Sequence, residues 1–124
     1  MNNKDFFDDN GIYATEGQIV LRAFREDDRD AFISLKKDVS DVGVAYDLMP
    51  KFAESSWQEV LTGSDGNIHI CLDYNSDGFA GYLNFQHPNR EVPEIGIDLV
   101  KKLRNRGIGL RCAMKLKIYG LLKK

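Results

Sequence analysis

The sequence predicts an α+β domain in which a mainly antiparallel sheet is flanked by helices. Three observations lead to this prediction: a β-rich run at Ile19–Phe24, two alternating segments joined by a strong turn within 68–85, and helical spacing of apolar residues over 107–122. The 124 residues suit one domain. We therefore expect a polar N-terminal arm or short leading element at 1–17, followed by a single domain at 18–124.

The first half of the domain is predicted to contain one strand followed by two helices. After the strand, Arg25–Asp28 supplies acidic side chains that can accept hydrogen bonds from the free N–H groups of a helix start. Apolar residues at helical spacing then extend the first helix from about Asp28 to Asp38. Ser55 or Ser56 can cap a second helix, which Gly63 ends.

The second half is predicted to contain three strands and a final helix. Ile68–Asp73 and Phe79–Phe85 flank the turn sequence Tyr74–Gly78, so they form an antiparallel hairpin. Glu94–Val100 is a further strand that places alternate apolar residues on one face. Those residues are Ile95, Ile97 and Leu99. The predicted order is therefore β-α-α-β-β-β-α, ending with a helix from about Gly107 to Leu122.

Composition and charge indicate a folded domain and argue against nucleic-acid binding. Hydrophobic residues make up 43% of the chain and charged residues 29%, which are ordinary values for a folded domain. The formal net charge of −2 does not favour a nucleic-acid partner, which needs a broad basic surface. A local basic cluster could still attract a small polyanion. Its members are Lys101, Lys102, Arg104, Arg106, Arg111, Lys115 and Lys117.

Neither a membrane segment nor a metal site is expected. No run of about 18 apolar residues is present, and the polar N-terminus lacks the order of a signal peptide. Cys71 and Cys112 show no metal-ligand spacing, and we expect both to stay reduced in the cytoplasm. His69 and His87 likewise have no second ligand type nearby in a repeating pattern.

The segment 100–110 carries the strongest functional pattern. A strand ends, a basic loop follows, and a helix starts at Gly107 and Gly109. Glycines permit close approach of another group, and the first N–H groups of a helix point outward without internal partners. Together with the helix dipole and the charges of Arg104 and Arg106, they predict a phosphate or pyrophosphate site. The spacing alone is as typical of an ordinary strand-to-helix turn, and it is neither a P-loop nor a dinucleotide fingerprint.

Three segments of the chain match the pattern of a known family. Arg104-x-x-Gly107-x-Gly109 has the form Arg/Gln-x-x-Gly-x-Gly/Ala. The segment 93–100, which precedes this motif, contains the predicted strand Glu94–Val100. The segment 21–28 is a strand with an arginine, followed by an acidic helix start. In these features the chain resembles the GNAT acetyltransferase superfamily, and in particular its ribosomal-protein and small-molecule acetyltransferases. The resemblance covers nearly the whole chain and makes 93–100 the family's fourth strand.

The resemblance implies how a cofactor would bind. Backbone N–H groups of residues 105 to 110 would hold the pyrophosphate of coenzyme A, and backbone groups at the end of the fourth strand would pair with the pantetheine arm. The residues implied for acetyl-CoA binding are Leu99, Val100, Arg104, Asn105, Arg106, Gly107, Ile108, Gly109 and Leu110. An acceptor amine would attack the thioester directly, without a covalent enzyme intermediate.

A general base must take a proton from the attacking amine, directly or through water. The resemblance implies a glutamate on the fourth strand, for which Glu94 is the nearest match. Asp98 is a poorer match because it lies closer to the cofactor, and Glu91 and His69 are weaker alternatives. The plain structural interpretations are exposed carboxylates for the acidic residues and a partly exposed strand position for the histidine. Two tyrosines could line the acceptor site or simply pack, namely Tyr74 and Tyr82.

Family members continue beyond the motif helix, whereas this chain stops at Lys124. The resemblance therefore leads us to expect a fragment of a longer protein, or a chain whose fourth strand pairs through an open edge with a second copy as a homodimer. Three functions stay open: acetyl transfer to a primary amine, a non-catalytic acyl-CoA-binding module, and an unrelated phosphate-binding domain. The acceptor, a protein N-terminus or a small amine, cannot be read from the sequence.

Overall fold

In the computed structural model, which describes residues 7–38, 47–86, 94–108 and 111, the chain forms a five-stranded sheet. Neighbouring strands are antiparallel, and their order across the sheet follows their order in the chain. The strands are β1 (Ile12–Glu16), β2 (Ile19–Arg22), β3 (Ile68–Tyr74), β4 (Phe79–Gln86) and β5 (Glu94–Leu99). Two helices, α1 (Arg29–Asp38) and α2 (Pro50–Thr62), lie between β2 and β3. The predicted α+β class with an antiparallel sheet is confirmed.

The predicted N-terminal arm contains a strand that its polar composition did not reveal. β1 pairs with β2, and its register shifts between Ile12 and Ala14. Ahead of β1, the Asp8 carboxylate accepts hydrogen bonds from the backbone N–H groups of Asn10 and Ile12, at 2.9 Å each. Tyr13 and Ala14 are buried, so the leading element belongs to the sheet.

Both predicted helices between β2 and β3 are present, and one of them starts earlier than predicted. α1 follows a 3-10 turn at Glu26–Asp28, in agreement with the predicted acidic start. α2 begins at Pro50 rather than at Ser55 or Ser56, because proline in the first turn has a backbone angle already suited to a helix. Gly63 ends α2 in left-handed backbone with φ of 69°, as predicted.

The hairpin and the strand that follows it agree with the prediction to within one residue at each end. β3 and β4 are antiparallel partners around a turn in which Asn75 and Gly78 have positive φ. At the start of the final predicted helix, Ile108 and Arg111 are helical. The Arg111 N–H donates to the Gly107 carbonyl at 3.2 Å. The remainder of that predicted helix lies outside the described residues.

Both faces of the sheet are buried, and they differ in composition. The helical face, which carries Cys71 and Tyr82, packs against α1 and α2. It includes an aromatic group of Phe24, Phe32 and Trp57, whose ring centroids lie between 5.7 and 5.9 Å apart. The opposite side, the far face, is largely aliphatic. Its members include Ile19, Leu21, Ile70, Leu72, Leu83, Leu103 and Ile108.

A buried ion-pair network fixes the start of α1 against the sheet. The Arg22 guanidinium binds Asp28 at 2.8 Å and Asp73 at 2.6 Å, so it links β2 to α1 and to β3. Burial raises the pKa of the Asp28 carboxyl, but hydrogen bonds from Arg22 and from the Arg25 N–H outweigh it and hold that pKa below its ordinary 3.8. Beside this network, burial raises the pKa of the Cys71 thiol, which keeps the thiol protonated.

Candidate active site

Within the described part of the chain, β5 is an edge strand whose one strand neighbour is β4. The Val100 N–H donates to the Ala80 carbonyl at 2.9 Å, which continues the β4–β5 ladder by one residue. Because hydrogen-bonded and non-bonded pairs alternate in an antiparallel ladder, the backbone groups of Ile95, Ile97 and Leu99 point away from β4. The outer edge of β5 thus presents a row of peptide groups.

The segment after β5 turns tightly and then starts a helix. Lys101–Leu103 form a 3-10 turn, and Asn105 and Gly107 adopt left-handed backbone with φ of 63° and 75°. Leu103 and Ile108, each 1% exposed, bury their side chains in the far-face core on either side of the loop. These two side chains anchor the loop while the residues between them stay at the surface.

The exposed stretch 105–107 gathers backbone donors and positive charge. Among the described residues, none accepts a hydrogen bond from the backbone N–H groups of 105–107 or of Ile108. N–H groups around left-handed residues form a concave anion site, and a helix start adds its dipole. The neighbouring side chains of Lys101, Arg106 and Arg111 are exposed. The loop therefore combines left-handed residues, backbone N–H groups and positive charge, which together are typical of phosphate-binding loops.

Arg104 differs from the other cations of the loop because its side chain folds back onto the protein. Its Nε donates to the Leu99 carbonyl at 3.0 Å, and a terminal nitrogen binds the Asp38 carboxylate at 3.2 Å. The arginine thereby joins the end of β5 to the end of α1. Its role in cofactor binding stays a prediction, and so do the roles of Gly109 and Leu110, which lie outside the described residues.

On the helical face, a cavity of about 250 Å³ opens between the sheet and the two helices. Side chains from α1, α2, β3, β4 and the turn before β3 line it. Its polar lining includes Lys36, Ser56, Glu59, Asn67, Asn84 and Gln86. A concave site with several convergent polar groups suits a small polar or charged molecule.

Three further lining side chains form a continuous hydrogen-bonded chain. His69 Nδ1 lies 2.7 Å from the Tyr82 hydroxyl, and His69 Nε2 lies 2.9 Å from both carboxylate oxygens of Asp65. His69 is only 5% exposed, so the expectation of a partly exposed strand histidine is wrong. Of the two tyrosines considered for the acceptor site, Tyr82 lines the cavity, whereas Tyr74 packs on the far face.

The carboxylates of β5 lie on the same face of the sheet as the cavity. Glu94 is exposed and pairs in register with Gln86, and directly opposite residues of an antiparallel pair share a face. Asp98 binds Lys36 Nζ at 2.9 Å and is therefore engaged in an ion pair. Glu94 remains the stronger candidate for a general base, and Glu91 lies outside the described residues.

The cavity was missed from the sequence because several separate segments contribute to it. The sequence feature that comes closest to revealing it is strand alternation. Alternation places His69 of β3 on the same face as Cys71, and Tyr82 of β4 on the same face as Asn84. The register across the hairpin pairs Cys71 with Tyr82 and His69 with Asn84. A register deduced from the predicted hairpin turn would have brought His69 close to Tyr82.

Two other kinds of site receive no support from the described residues. Within 7–38, 47–86, 94–108 and 111, no group of three or more histidine, cysteine, aspartate or glutamate side chains could hold a metal ion. In the same ranges, no helix is both long and apolar enough to cross a membrane. Two features of these residues suit binding, namely the loop after β5 and the cavity on the helical face.

Comparison with known proteins identifies relatives of the fold. No protein-family model matches the sequence, and no curated protein matches it. RimL, a ribosomal L7/L12 alpha-N-protein acetyltransferase solved in complex with coenzyme A, matches with a TM-score of 0.63 and 18% identity over 87% of this chain. The microcin C7 self-immunity acetyltransferase MccE, solved with acetyl-CoA and AMP, matches with a TM-score of 0.60 and 16% identity over 94% of this chain.

A third match is an acetyltransferase from Salmonella typhimurium that modifies the N-terminal serine of the 50S ribosomal subunit protein L7/L12. Its TM-score is 0.62, at 17% identity over 87% of this chain. The present chain spans 66% of the length of the RimL chain, 69% of MccE and 66% of the Salmonella protein. Identities this low establish a likeness of fold, and at that level the resemblance suggested by the sequence motif is confirmed.

Proposed function

We propose that this chain, which has the GNAT-type acetyltransferase fold, binds acetyl-CoA and transfers its acetyl group to a primary amine. The observation that carries the proposal is the loop after β5, where Asn105 and Gly107 turn the backbone into an anion site at a helix start. RimL and MccE, which share the fold, were solved with coenzyme A or acetyl-CoA. The acceptor would be a protein N-terminus or a small amine.

The cofactor would lie along the outer edge of β5, with its pyrophosphate at the loop. The N–H groups of residues 105–110 would bind the phosphates, and Arg106 would add charge. Because the Val100 N–H bonds to the Ala80 carbonyl, we assign the pantetheine contacts to the outward-pointing groups of Ile97 and the N–H of Leu99 instead. An extended ligand would thus continue the sheet as a further strand would.

The acceptor nitrogen would attack the thioester carbonyl carbon, and collapse of the tetrahedral intermediate would expel the coenzyme A thiolate. Glu94 is the proposed general base that takes a proton from the attacking nitrogen, directly or through one water. It lies about 17 Å along β5 from Leu99, since an antiparallel strand rises about 3.4 Å per residue. This length separates the reacting end of the cofactor from its pyrophosphate end.

Calorimetric titration with coenzyme A tests the loop. Gly107→Asp should weaken the affinity roughly 100-fold, because it adds a carboxylate next to the phosphates and a Cβ to left-handed backbone. Gly17→Asp is the matched control, since Gly17 also has left-handed backbone, with φ of 58°, and open space around an added Cβ. It lies in the turn between β1 and β2 and should leave the affinity unchanged.

Three outcomes of this titration would count against the assignment. Equal affinity of Gly107→Asp and the parent chain would remove its basis. Loss of affinity in both variants, with altered circular dichroism, would indicate damage to the fold rather than to a site. Absence of coenzyme A binding by the parent chain would overturn the proposed function.

Glu94→Gln distinguishes an enzyme from a binding module. Turnover of acetyl-CoA with a panel of primary amines can be measured by the release of free thiol. It should fall on the order of 100-fold when the general base is removed. The affinity for coenzyme A should not change, because Glu94 lies at the opposite end of β5 from the loop. Glu26→Gln, an exposed change before α1, should keep full turnover. Coenzyme A binding without any amine-dependent turnover would select the non-catalytic acyl-CoA-binding module.

We further propose that a second copy of the chain pairs along the outer edge of β5 when the cofactor is absent. The peptide groups of Ile95, Ile97 and Leu99 would then bind either pantetheine or a partner strand. Sedimentation velocity should show a homodimer that coenzyme A converts to monomers, and a sedimentation coefficient that does not change with coenzyme A would contradict this. We place the protein in the cytoplasm, where the buried Cys71 thiol would stay reduced.

A further inference from the structure

The hydrogen-bonded chain of Asp65, His69 and Tyr82 runs along the wall of the cavity on the helical face. All three residues line the cavity, but Tyr82 is buried, whereas the Asp65 side chain is 23% exposed. The rings of His69 and Tyr82 are stacked, with planes 11° apart and centroids 5.8 Å apart. The chain therefore has a buried end at Tyr82 and a partly exposed end at Asp65, both on the cavity wall.

The geometry fixes the tautomer of the histidine. An ionised Asp65 carboxylate can only accept hydrogen bonds, so His69 Nε2 must carry a proton and donate it. In the neutral imidazole Nδ1 is then an acceptor, and it receives the hydroxyl proton of Tyr82. A hydroxyl, an imidazole base and an orienting carboxylate in this order can move a proton in a concerted step.

The other charged groups around the chain favour a cationic ligand. From α1, Lys36 Nζ lies 4.7 Å from the Tyr82 ring centroid, and its charge is paired with Asp98 of β5. From α2, Glu59 lines the cavity, and from β5, the exposed Glu94 shares the helical face. An ammonium ion that enters the cavity therefore meets more carboxylates than cations.

An acceptor amine must lose two protons in the proposed reaction, on which this inference rests. A primary alkylamine resembles lysine, with a pKa of about 10.4, so it arrives as an ammonium ion and must be deprotonated before it can attack. The second proton leaves the nitrogen after attack, and Glu94 is its proposed acceptor. We propose that the chain of Asp65, His69 and Tyr82 accepts the first proton. Tyr82 Oη takes it from the ammonium ion while the hydroxyl proton of Tyr82 passes to His69 Nδ1.

The step moves one proton along the chain and changes no other bond. It leaves a neutral amine, an intact Tyr82 phenol, and an imidazolium that keeps its Nε2–H hydrogen bond to Asp65. The Nε2 proton then passes by way of Asp65 to water, and the Nδ1–H imidazole that remains must exchange its proton back to the Nε2–H form before the next turnover. Tyr82 is the group that touches the amine, and His69 and Asp65 are positioning residues that act through it.

Nitrogen-15 NMR of the 124-residue chain tests the arrangement without requiring turnover. We expect His69 in the Nε2–H tautomer, and we expect ethylammonium chloride at neutral pH to shift its Nδ1 resonance. Tyr82→Phe should abolish this response, because phenylalanine cannot connect the ammonium ion to the imidazole. Tyr74→Phe is the matched control on the far face and should keep the response. The chain has a second histidine, His87, so the His69→Asn variant is needed to show which imidazole resonances belong to His69.

Kinetics distinguish a proton relay from a structural role. Ethylamine is protonated at neutral pH, whereas 2,2,2-trifluoroethylamine is largely neutral there and has no first proton to lose. At pH 7, Tyr82→Phe should lower kcat/KM for ethylamine roughly 100-fold relative to the parent chain and leave that for trifluoroethylamine close to the parent value. The loss for ethylamine should shrink as the pH rises toward the pKa of the amine, because more of it arrives deprotonated.

Each outcome bears on one proposal at a time. An Nδ1–H tautomer, an unmoved His69 resonance, or equal losses for the two amines would overturn the relay. Coenzyme A binding together with an unmoved His69 resonance would overturn the relay and leave the cofactor site intact. Loss of coenzyme A binding with the His69 response retained would overturn the proposed function and leave the ammonium site standing.

Discussion

The loop after β5 and the cavity on the helical face are two sites built in opposite ways. The loop is one contiguous segment, 100–108, in which backbone N–H groups would bind the ligand and the nearby side chains are cationic. The cavity is formed by side chains from four elements and the turn before β3, and its lining includes Glu59, Asp65 and a single lysine. The first site therefore suits an anion and the second a cation, which are the charges of the two proposed substrates.

This difference predicts how each site responds to substitution. Backbone donors persist when a side chain changes, so the exposed Arg106 should tolerate substitution better than the left-handed Asn105 and Gly107 or the buried anchors Leu103 and Ile108. The helical face depends on buried polar partners, and each lost partner leaves another buried group without its hydrogen bond. Changes on the helical face should therefore alter stability first, and changes at the exposed positions 105–107 of the loop should alter affinity first.

The largest effect is expected for Arg22→Ala on the helical face. This change removes both ion pairs that join β2 to Asp28 and Asp73, and it leaves two largely buried carboxylates without their counter-charge. Breaking a buried ion pair by removing one partner lowers the free energy of unfolding by about 3–5 kcal/mol. Urea unfolding followed by circular dichroism would measure the loss.

Arg29→Ala is the control for that prediction. Its ion pairs with Asp30 and Glu54 lie at the surface, where such pairs contribute little to stability. The midpoint of urea unfolding should therefore stay close to that of the parent chain. A loss as large as that of Arg22→Ala would mean that the start of α1, rather than the buried network, sets the stability of this face.

A smaller effect should appear as a pH dependence of stability. Folding lowers the pKa of Asp28 through Arg22 and the Arg25 N–H, so the unfolded chain binds this proton more tightly than the folded chain. The stabilisation is complete above the unfolded pKa and is lost as the pH falls through the lower folded pKa. Asp28→Asn should be less stable at pH 7 but lose less stability as the pH falls below about 4. If the free energy of unfolding falls equally with pH for the parent chain and for Asp28→Asn, the prediction is wrong. Asp27→Asn is the control, because Asp27 is exposed, and its stability should depend on pH as that of the parent chain does.

The contrast between the two sites also explains what the sequence could predict of the fold. The turn at Tyr74–Gly78 and the left-handed Gly63 are local signals. From them the sequence predicted the end of β3, the start of β4 and the end of α2, each to within one residue. Ser55 or Ser56 is the predicted cap because serine suits the start of a helix, whereas α2 already begins at Pro50. β1 was missed because a short, polar-flanked strand becomes stable only through its pairing with β2.

The same division holds for the candidate site. The loop was predictable because its glycines and cations are contiguous in sequence. The fold-back of Arg104 onto Asp38, which is 66 residues away in the chain, depends on how α1 packs and has no local signal. His69 meets Tyr82 only through the hairpin register, and Tyr82 packs in the core together with residues of α1 and α2. Residue types and spacing therefore predict a contiguous backbone site better than a side-chain site assembled by packing.

The smallest expected effect distinguishes two arginines within the loop itself. Arg106 is exposed, so Arg106→Gln should weaken coenzyme A binding about two- to fivefold at low salt without changing thermal unfolding. Arg104→Gln removes the bonds to the Leu99 carbonyl and to Asp38, so it should lower the unfolding temperature and the affinity together. The Arg106 effect should vanish at about 1 M salt, where the Debye length is about 3 Å, whereas the effect of Arg104→Gln on unfolding should persist. Equal unfolding temperatures for the two variants would mean that Arg104 does not link β5 to α1 and instead acts toward the cofactor as Arg106 does.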